Sequence, residues 1–320
     1  MVYPGRGTTV GARGPARRGS EVDLNNGILG AASRVTESLV GNLREASDHI
    51  ANRMYRDTFV DGISKGSGHE SEADIHGSNQ FDKKGYDDTD ASAAGLNRAG
   101  GSAEEYLKRI YGDRYHGDGS DKAREYADSL ASLPDRFHRI VADHMKEYSE
   151  GGIWLGAGRL HDLGHAAWSA TKRRDQKPGG WPDGTTWDDV GGVYSERFRA
   201  LLVGHTQHSR IDTAPHEFGH ALDDALGRPS KEPVFSQFHT IVLRHIQQTS
   251  PNIAEYFARP GEAGKRELFA EGIAWHNKTV QNPPGGVNST AQPEFYGSVA
   301  AGRHLIAFYQ ALDRELGITR

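Results

Sequence analysis

Thr213-Ala-Pro-His-Glu-Phe-Gly-His-Ala-Leu-Asp-Asp-Ala-Leu-Gly227 is the stretch on which the fold and chemistry of this chain turn. Asp212 or Thr213 can cap a helix there, Pro215 suits its first turn, and Gly227 ends it. Phe218, Ala221, Leu222, Ala225 and Leu226 supply apolar surface to bury. On that helix His216 and His220 lie one turn apart on one face, so both imidazoles reach a single metal ion. Glu217 is offset by one residue and stands beside the ion rather than on it. There it can take a proton from water held by the metal.

Zinc in a catalytic site needs a third protein ligand and an open position for water. Arg266-Glu-Leu-Phe-Ala-Glu271 lies inside a second expected helix, with Glu267 and Glu271 on one face. One carboxylate can ligate the metal while the other orients a ligating histidine through its second ring nitrogen. Glutamates at this spacing also decorate solvated helix faces. Here, however, they flank Leu268-Phe269-Ala270 and precede Ile273-Ala274-Trp275. Carboxylates on so apolar a helix need partners, which favours Glu267 as the ligand.

Other candidates rank lower. Leu226 stands where the longer metzincin motif places its third ligand, and Asp223 replaces that motif's glycine, which excludes that family. Asp223 and Asp224 follow His220 too closely to complete the site, and His276 ranks below Glu267. His161-Asp-Leu-Gly-His165 repeats the histidine spacing, but it sits beside glycines, and a loop or helix-cap role is expected. His205 and His208 are read as surface histidines.

Working outward, 320 residues would accommodate two domains, and 40 glycines with only 36% hydrophobic residues imply much loop. A net charge of −5 argues against a nucleic-acid binder. The chain has no cysteine, so a zinc site must use histidine and carboxylate. No run approaches the roughly 20 apolar residues that span a bilayer. Arg6, Arg13, Arg17 and Arg18 are followed by no apolar signal-peptide core. The expectation is secretion by a route without a standard signal peptide, with a cytoplasmic location as the alternative.

Residues 1–101 read as an N-terminal arm. It holds one amphipathic helix (Val35, Leu39, Leu43, Ala46, Ile50, Met54), then a Gly/Ser/Asp-rich linker from Asp61. Residues 102–320 read as the catalytic domain. Ser102 and Glu105 make a capping box for a helix to Tyr111, and further helices are expected over 120–133 and from Pro134. The latter carries Phe137, Ile140, Val141, Met145 and Tyr148 on one side. A strand is expected at Ile153-Trp154-Leu155, and two more over 192–203 about a turn near Glu196-Arg197. Helices at 214–226, 234–248, 263–277 and 302–315 complete an α+β domain with a small sheet.

The combination of His-Glu-Phe-Gly-His-Ala-Leu-Asp-Asp with Glu-Leu-Phe-Ala-Glu resembles the catalytic domain of the anthrax lethal factor-type zinc metallopeptidases, which include the Pro-Pro endopeptidases. Leu133-Pro134 through Gly152-Ile-Trp-Leu-Gly156, Gly180-Trp-Pro-Asp-Gly-Thr-Thr-Trp-Asp-Asp-Val190 and Gly191-Gly-Val-Tyr194 are similar to that family in the same order. The resemblance covers about 130–280 and does not reach residues 1–100. It implies a zincin-like fold, with His216, His220 and Glu267 as Zn2+ ligands, Glu217 as general base and Glu271 supporting them from behind. It also implies an oxyanion-stabilising tyrosine shortly before the glutamate ligand. Tyr256 is the nearest match, eleven residues before Glu267, a longer gap that an insertion around 260–264 can absorb.

The function so implied is endopeptidase action on a selective protein or peptide substrate, with the strand ending near Val203 offering β-augmentation to an extended chain. A bacterial toxin or effector role, with a delivery or secretion partner engaged through the N-terminal region, fits the organisation. The competing expectation is a zinc-bound but catalytically silent binding module.

Overall fold

In the computed structural model of the protein, residues 101–318 are described, apart from 180, 182, 206–211 and 282–291. The amphipathic helix and linker expected in the N-terminal arm lie outside the described residues, as does His208. From Ser102 onward the local signals act as expected. Ser102 and Glu105 form the reciprocal capping box that opens α1 (Ala103–Tyr111). Ser120 caps α2 (Asp121–Ala131), and Pro134 precedes α3 (Asp135–Lys146). Phe137, Val141 and Met145 bury along α3 as the periodicity required, whereas Tyr148 lies past its end and is 45% exposed.

Four short strands form one sheet in the order β1-β2-β4-β3. They are β1 (Tyr115–Gly117), β2 (Gly152–Leu155), β3 (Gly192–Ser195) and β4 (Ala200–Val203). β1, β2 and β4 run parallel, and β3 pairs antiparallel with β4. Side chains alternate between the two faces. Ile153, Leu155, Leu201 and Val203 enter the main core with the helices, while Trp154, Ala200 and Leu202 enter a second cluster with Trp168 and Val190. The strand expected to receive a peptide, β4, is hydrogen-bonded on both sides, so among the described strands the free edge on that side belongs to β3.

The remaining helices are α4 (Ala166–Thr171), α5 (Thr213–Ala225), α6 (Pro233–Thr249), α7 (Pro251–Phe257), α8 (Ala263–Gln281) and α9 (Val299–Glu315). Helix α5, which carries the His-Glu-x-x-His motif, lies against α8. Their approach depends on Gly219: a Cβ there would stand 2.6 Å from Ala270 Cα. β1, α4 and α7 escaped the sequence reading because each is too short to show a hydrophobic period. Among the described residues the class is mixed α+β, as expected, and no helix is long and apolar enough to cross a membrane.

Candidate metal centre

Close packing of α5 on α8 puts the faces of two helices in register. His216 Nε2 and His220 Nε2 lie 3.2 Å and 3.5 Å from Glu267 Oε2. The two imidazole rings stand 4.9 Å apart at 86°, so their edges converge without stacking. One ligand atom from each of His216, His220 and Glu267 falls within 4.8 Å of the others. A tetrahedral zinc with bonds of roughly 2.0–2.1 Å sets its donor atoms about 3.3–3.4 Å apart. The donor set and its spacing therefore fit a zinc ion.

The hydrogen-bond inventory supports the same fit. His216 Nδ1 lies 2.9 Å from Glu271 Oε2, so both nitrogens of this buried ring face carboxylates. A neutral imidazole can donate to only one of them. Either the ring is an imidazolium or a cation takes the place of the proton at Nε2. Without a metal, burial works against the charge, but hydrogen bonds to Glu267 and Glu271 outweigh it and push the His216 pKa up to about 10. Glu267 shows the reciprocal effect. Burial raises its pKa, yet hydrogen bonds from His216 and His220 hold it far below the usual carboxylate range. His220 differs: its Nδ1 is buried and finds no hydrogen-bond partner among the described residues.

Glu217 stands beside this cluster rather than within it, as its offset on the helix dictates, close enough to feel the charges of His220, His216 and Glu267. Its Oε2 accepts the Tyr194 backbone N–H of β3 at 2.8 Å. Gly192 leaves room for it, since a Cβ there would sit 2.8 Å from Glu217 Cγ. Burial pushes the Glu217 carboxyl up, against the pull of His220 and His216. The adjacent Tyr194 hydroxyl donates to Asp224 Oδ2 at 2.9 Å, so β3 is fastened to α5 at points two turns apart.

Tyr256 reaches the cluster despite its distance in sequence. Helix α7 folds back on α8 through the turn at 258–262, and Gly264 permits it, because a Cβ there would overlap the Phe257 carbonyl. The Tyr256 hydroxyl donates a short hydrogen bond to Glu267 Oε2. Burial and then the Glu267 charge raise its pKa, so it remains a proton donor. Arg259 lies over the Tyr256 ring at 4.2 Å and 3.6 Å from Glu267 Oε1.

All six predicted site residues thus meet in one place. The rivals go elsewhere. Asp223 accepts from Ser230 N and Oγ at 3.0 and 2.6 Å, and Asp224 from His144, Tyr194 and Arg228. His276 Nε2 lies 3.1 Å from Asp313 in the core, away from the metal cluster. His165 caps α4 by accepting from Trp168 N, the role anticipated for that segment, and His205 is exposed. Arg259, Tyr194 and Tyr296, which donates to Glu271 Oε1 at 2.9 Å, were not foreseen. Nothing local in the sequence marks them, since each acts across a tertiary contact.

No protein-family model matches this sequence, and a search of curated proteins finds no match. Comparison with solved structures finds similarity to the Pro-Pro endopeptidase from Paenibacillus alvei. The TM-score is 0.39 and the identity 17%, over 55% of this chain and 89% of that one. Similarity of that size carries no inference about activity, which rests on the geometry of the His-His-Glu cluster.

Proposed function

We propose that this chain is a zinc-dependent endopeptidase. The observation that carries the proposal is the convergence of His216 Nε2, His220 Nε2 and Glu267 Oε2 beside the carboxyl of Glu217. Bound there, zinc would act as a Lewis acid and lower the pKa of water in its open position toward about 7. The chain's own residues supply the rest. Glu217, held through Oε2 by the Tyr194 backbone N–H, would take the proton from an attacking water and pass it to the leaving amine. Tyr256, kept protonated by burial, would turn its hydroxyl proton from Glu267 Oε2 to the oxygen that gains charge as the scissile carbonyl becomes tetrahedral. Glu271 holds His216 in the tautomer that leaves Nε2 available.

The outer edge of β3 beside Glu217 favours an extended peptide substrate over a folded surface. We take selective cleavage of one protein, export without a standard signal peptide, and a toxin or effector role with delivery through the N-terminal region as parts of the same proposal. Their support is the chain's organisation and its family resemblance.

Peptide-library cleavage read by mass spectrometry tests the activity. Wild type should cleave and lose activity to a chelator. Glu217→Gln should keep its zinc and lose on the order of 10²–10⁴ in rate. A folded, zinc-loaded wild type that cleaves neither the library nor any protein substrate offered would transfer the assignment to a silent binding module.

A further inference from the structure

The two histidines of the cluster are oriented unequally. His220 Nδ1 has no hydrogen-bond partner among the described residues, whereas His216 Nδ1 meets Glu271 Oε2 at 2.9 Å. The other oxygen of that carboxylate, Oε1, accepts the Tyr296 hydroxyl at 2.9 Å. Tyr296 has a backbone φ of +48°, a left-handed conformation unusual for a bulky residue. Such outliers persist where surrounding structure holds them, and they gather at functional sites.

Here the holding contacts are plain. The Tyr296 carbonyl accepts both Thr249 Oγ1 and Ser250 Oγ at 2.9 Å, at the junction of α6 and α7. Its ring packs on Phe257 and Phe295, and the Phe295 and Ser298 backbones bridge around it. The strain is therefore fixed from several sides, and its result is a phenol aimed at the carboxylate behind His216.

We infer that Tyr296 is a positioning residue for the metal centre, acting through Glu271 on His216, and that this relay carries the hydrogen-bonded orientation of the histidine pair. The inference rests on the metal-centre reading above. Partners one step behind the ligands commonly govern metal affinity by about 10–100-fold. Tyr296 stands one step further back, and its loss leaves a buried carboxylate oxygen short of a donor.

Equilibrium zinc competition against a chelator, with the visible spectrum of the cobalt-substituted full chain as a second readout, tests the relay. Tyr296→Phe should weaken zinc on the order of 10-fold and alter the cobalt spectrum. Tyr309→Phe is the control. It deletes another buried hydroxyl that also braces α8, donating to the Phe269 carbonyl at 2.7 Å, and should leave zinc affinity unchanged. In a Glu271→Gln background, Tyr296→Phe should add nothing further. If Tyr296→Phe fails to fold, Thr249→Val, which removes one of the two donors to the tyrosine carbonyl and spares its hydroxyl, should weaken zinc in the same direction. Wild-type zinc affinity in Tyr296→Phe, an equal loss in Tyr309→Phe, or full additivity with Glu271→Gln would overturn the inference. A wild type that binds no zinc would instead reject the metal centre itself.

Discussion

His161 and His165 stand at the same spacing as His216 and His220, and both segments lie close to buried aromatic residues. At 161–165 the backbone makes a 3-10 turn over Leu160–Asp162 and then reaches Gly164 with φ +87°, so the rings never align on a helix face. Their nitrogens meet main-chain groups: His161 Nε2 lies 2.7 Å from Lys172 O, and His165 Nε2 lies 3.1 Å from Glu150 O. At 216–220 a continuous helix aligns the rings, and α8 faces them with Glu267 and Glu271. The first pair holds polypeptide; the second faces carboxylates that a ring can satisfy only with an extra proton or a cation. Spacing nominates such pairs, and the groups opposite them decide.

The largest expected effect comes from removing one ring of each pair. His216→Ala should abolish bound metal and cleavage together. His161→Ala should leave both intact and cost about 1–3 kcal/mol of stability by orphaning the Lys172 carbonyl. Metal analysis by mass spectrometry and a denaturant melt distinguish these outcomes. Metal loss from both variants would dissolve the contrast.

A second contrast lies in pH. Without metal, His216 has a pKa raised above its ordinary 6.5, so the stability it contributes is complete below that value and lost as pH rises through about 10. With metal the sign reverses. Zinc must displace the Nε2 proton, so its apparent affinity should rise about tenfold per pH unit below that pKa. Zinc titrations at several pH values, set beside melts of the metal-free protein, should show the opposed slopes. Parallel slopes would mean that the cluster is only a buried ion pair.

A smaller effect is expected from Gly219→Ala. Its methyl would enter the α8 backbone at Ala270 and force the helices apart, costing about 1–3 kcal/mol. Because that separation also moves Glu267 from the histidines, zinc affinity should fall with stability, which thermal melts with and without metal would reveal. The smallest overall, because it spares the metal, belongs to His165→Ala. It removes the acceptor for Trp168 N and the partner of the Glu150 carbonyl from a buried site, and should cost about 1–3 kcal/mol with no change in metal content.

Much of this was legible before any tertiary contact. The capping box at Ser102 and Glu105, the helix from Thr213 to Ala225 and the shared face of Glu267 and Glu271 follow from local propensity and the 3.6-residue period. The limits of that reasoning show at β4, whose apolar run identified a strand but not its place inside the sheet. They show equally at α7, where seven residues are too few to display a period.

The sequence by itself determined which residues share a helix face, and hence that two imidazoles and two carboxylates were available for one metal. Tertiary structure decided which groups meet. Glycines at 219 and 264 admit approaches that a Cβ would block, and those approaches bring Glu267 to the histidines and Tyr256 back across eleven residues. Tyr296 comes to Glu271 from a separate segment, 25 residues on, with its carbonyl tied to the end of α6. Helical periodicity is local and can be read along the chain, whereas contact between helices depends on side-chain volume and long-range packing.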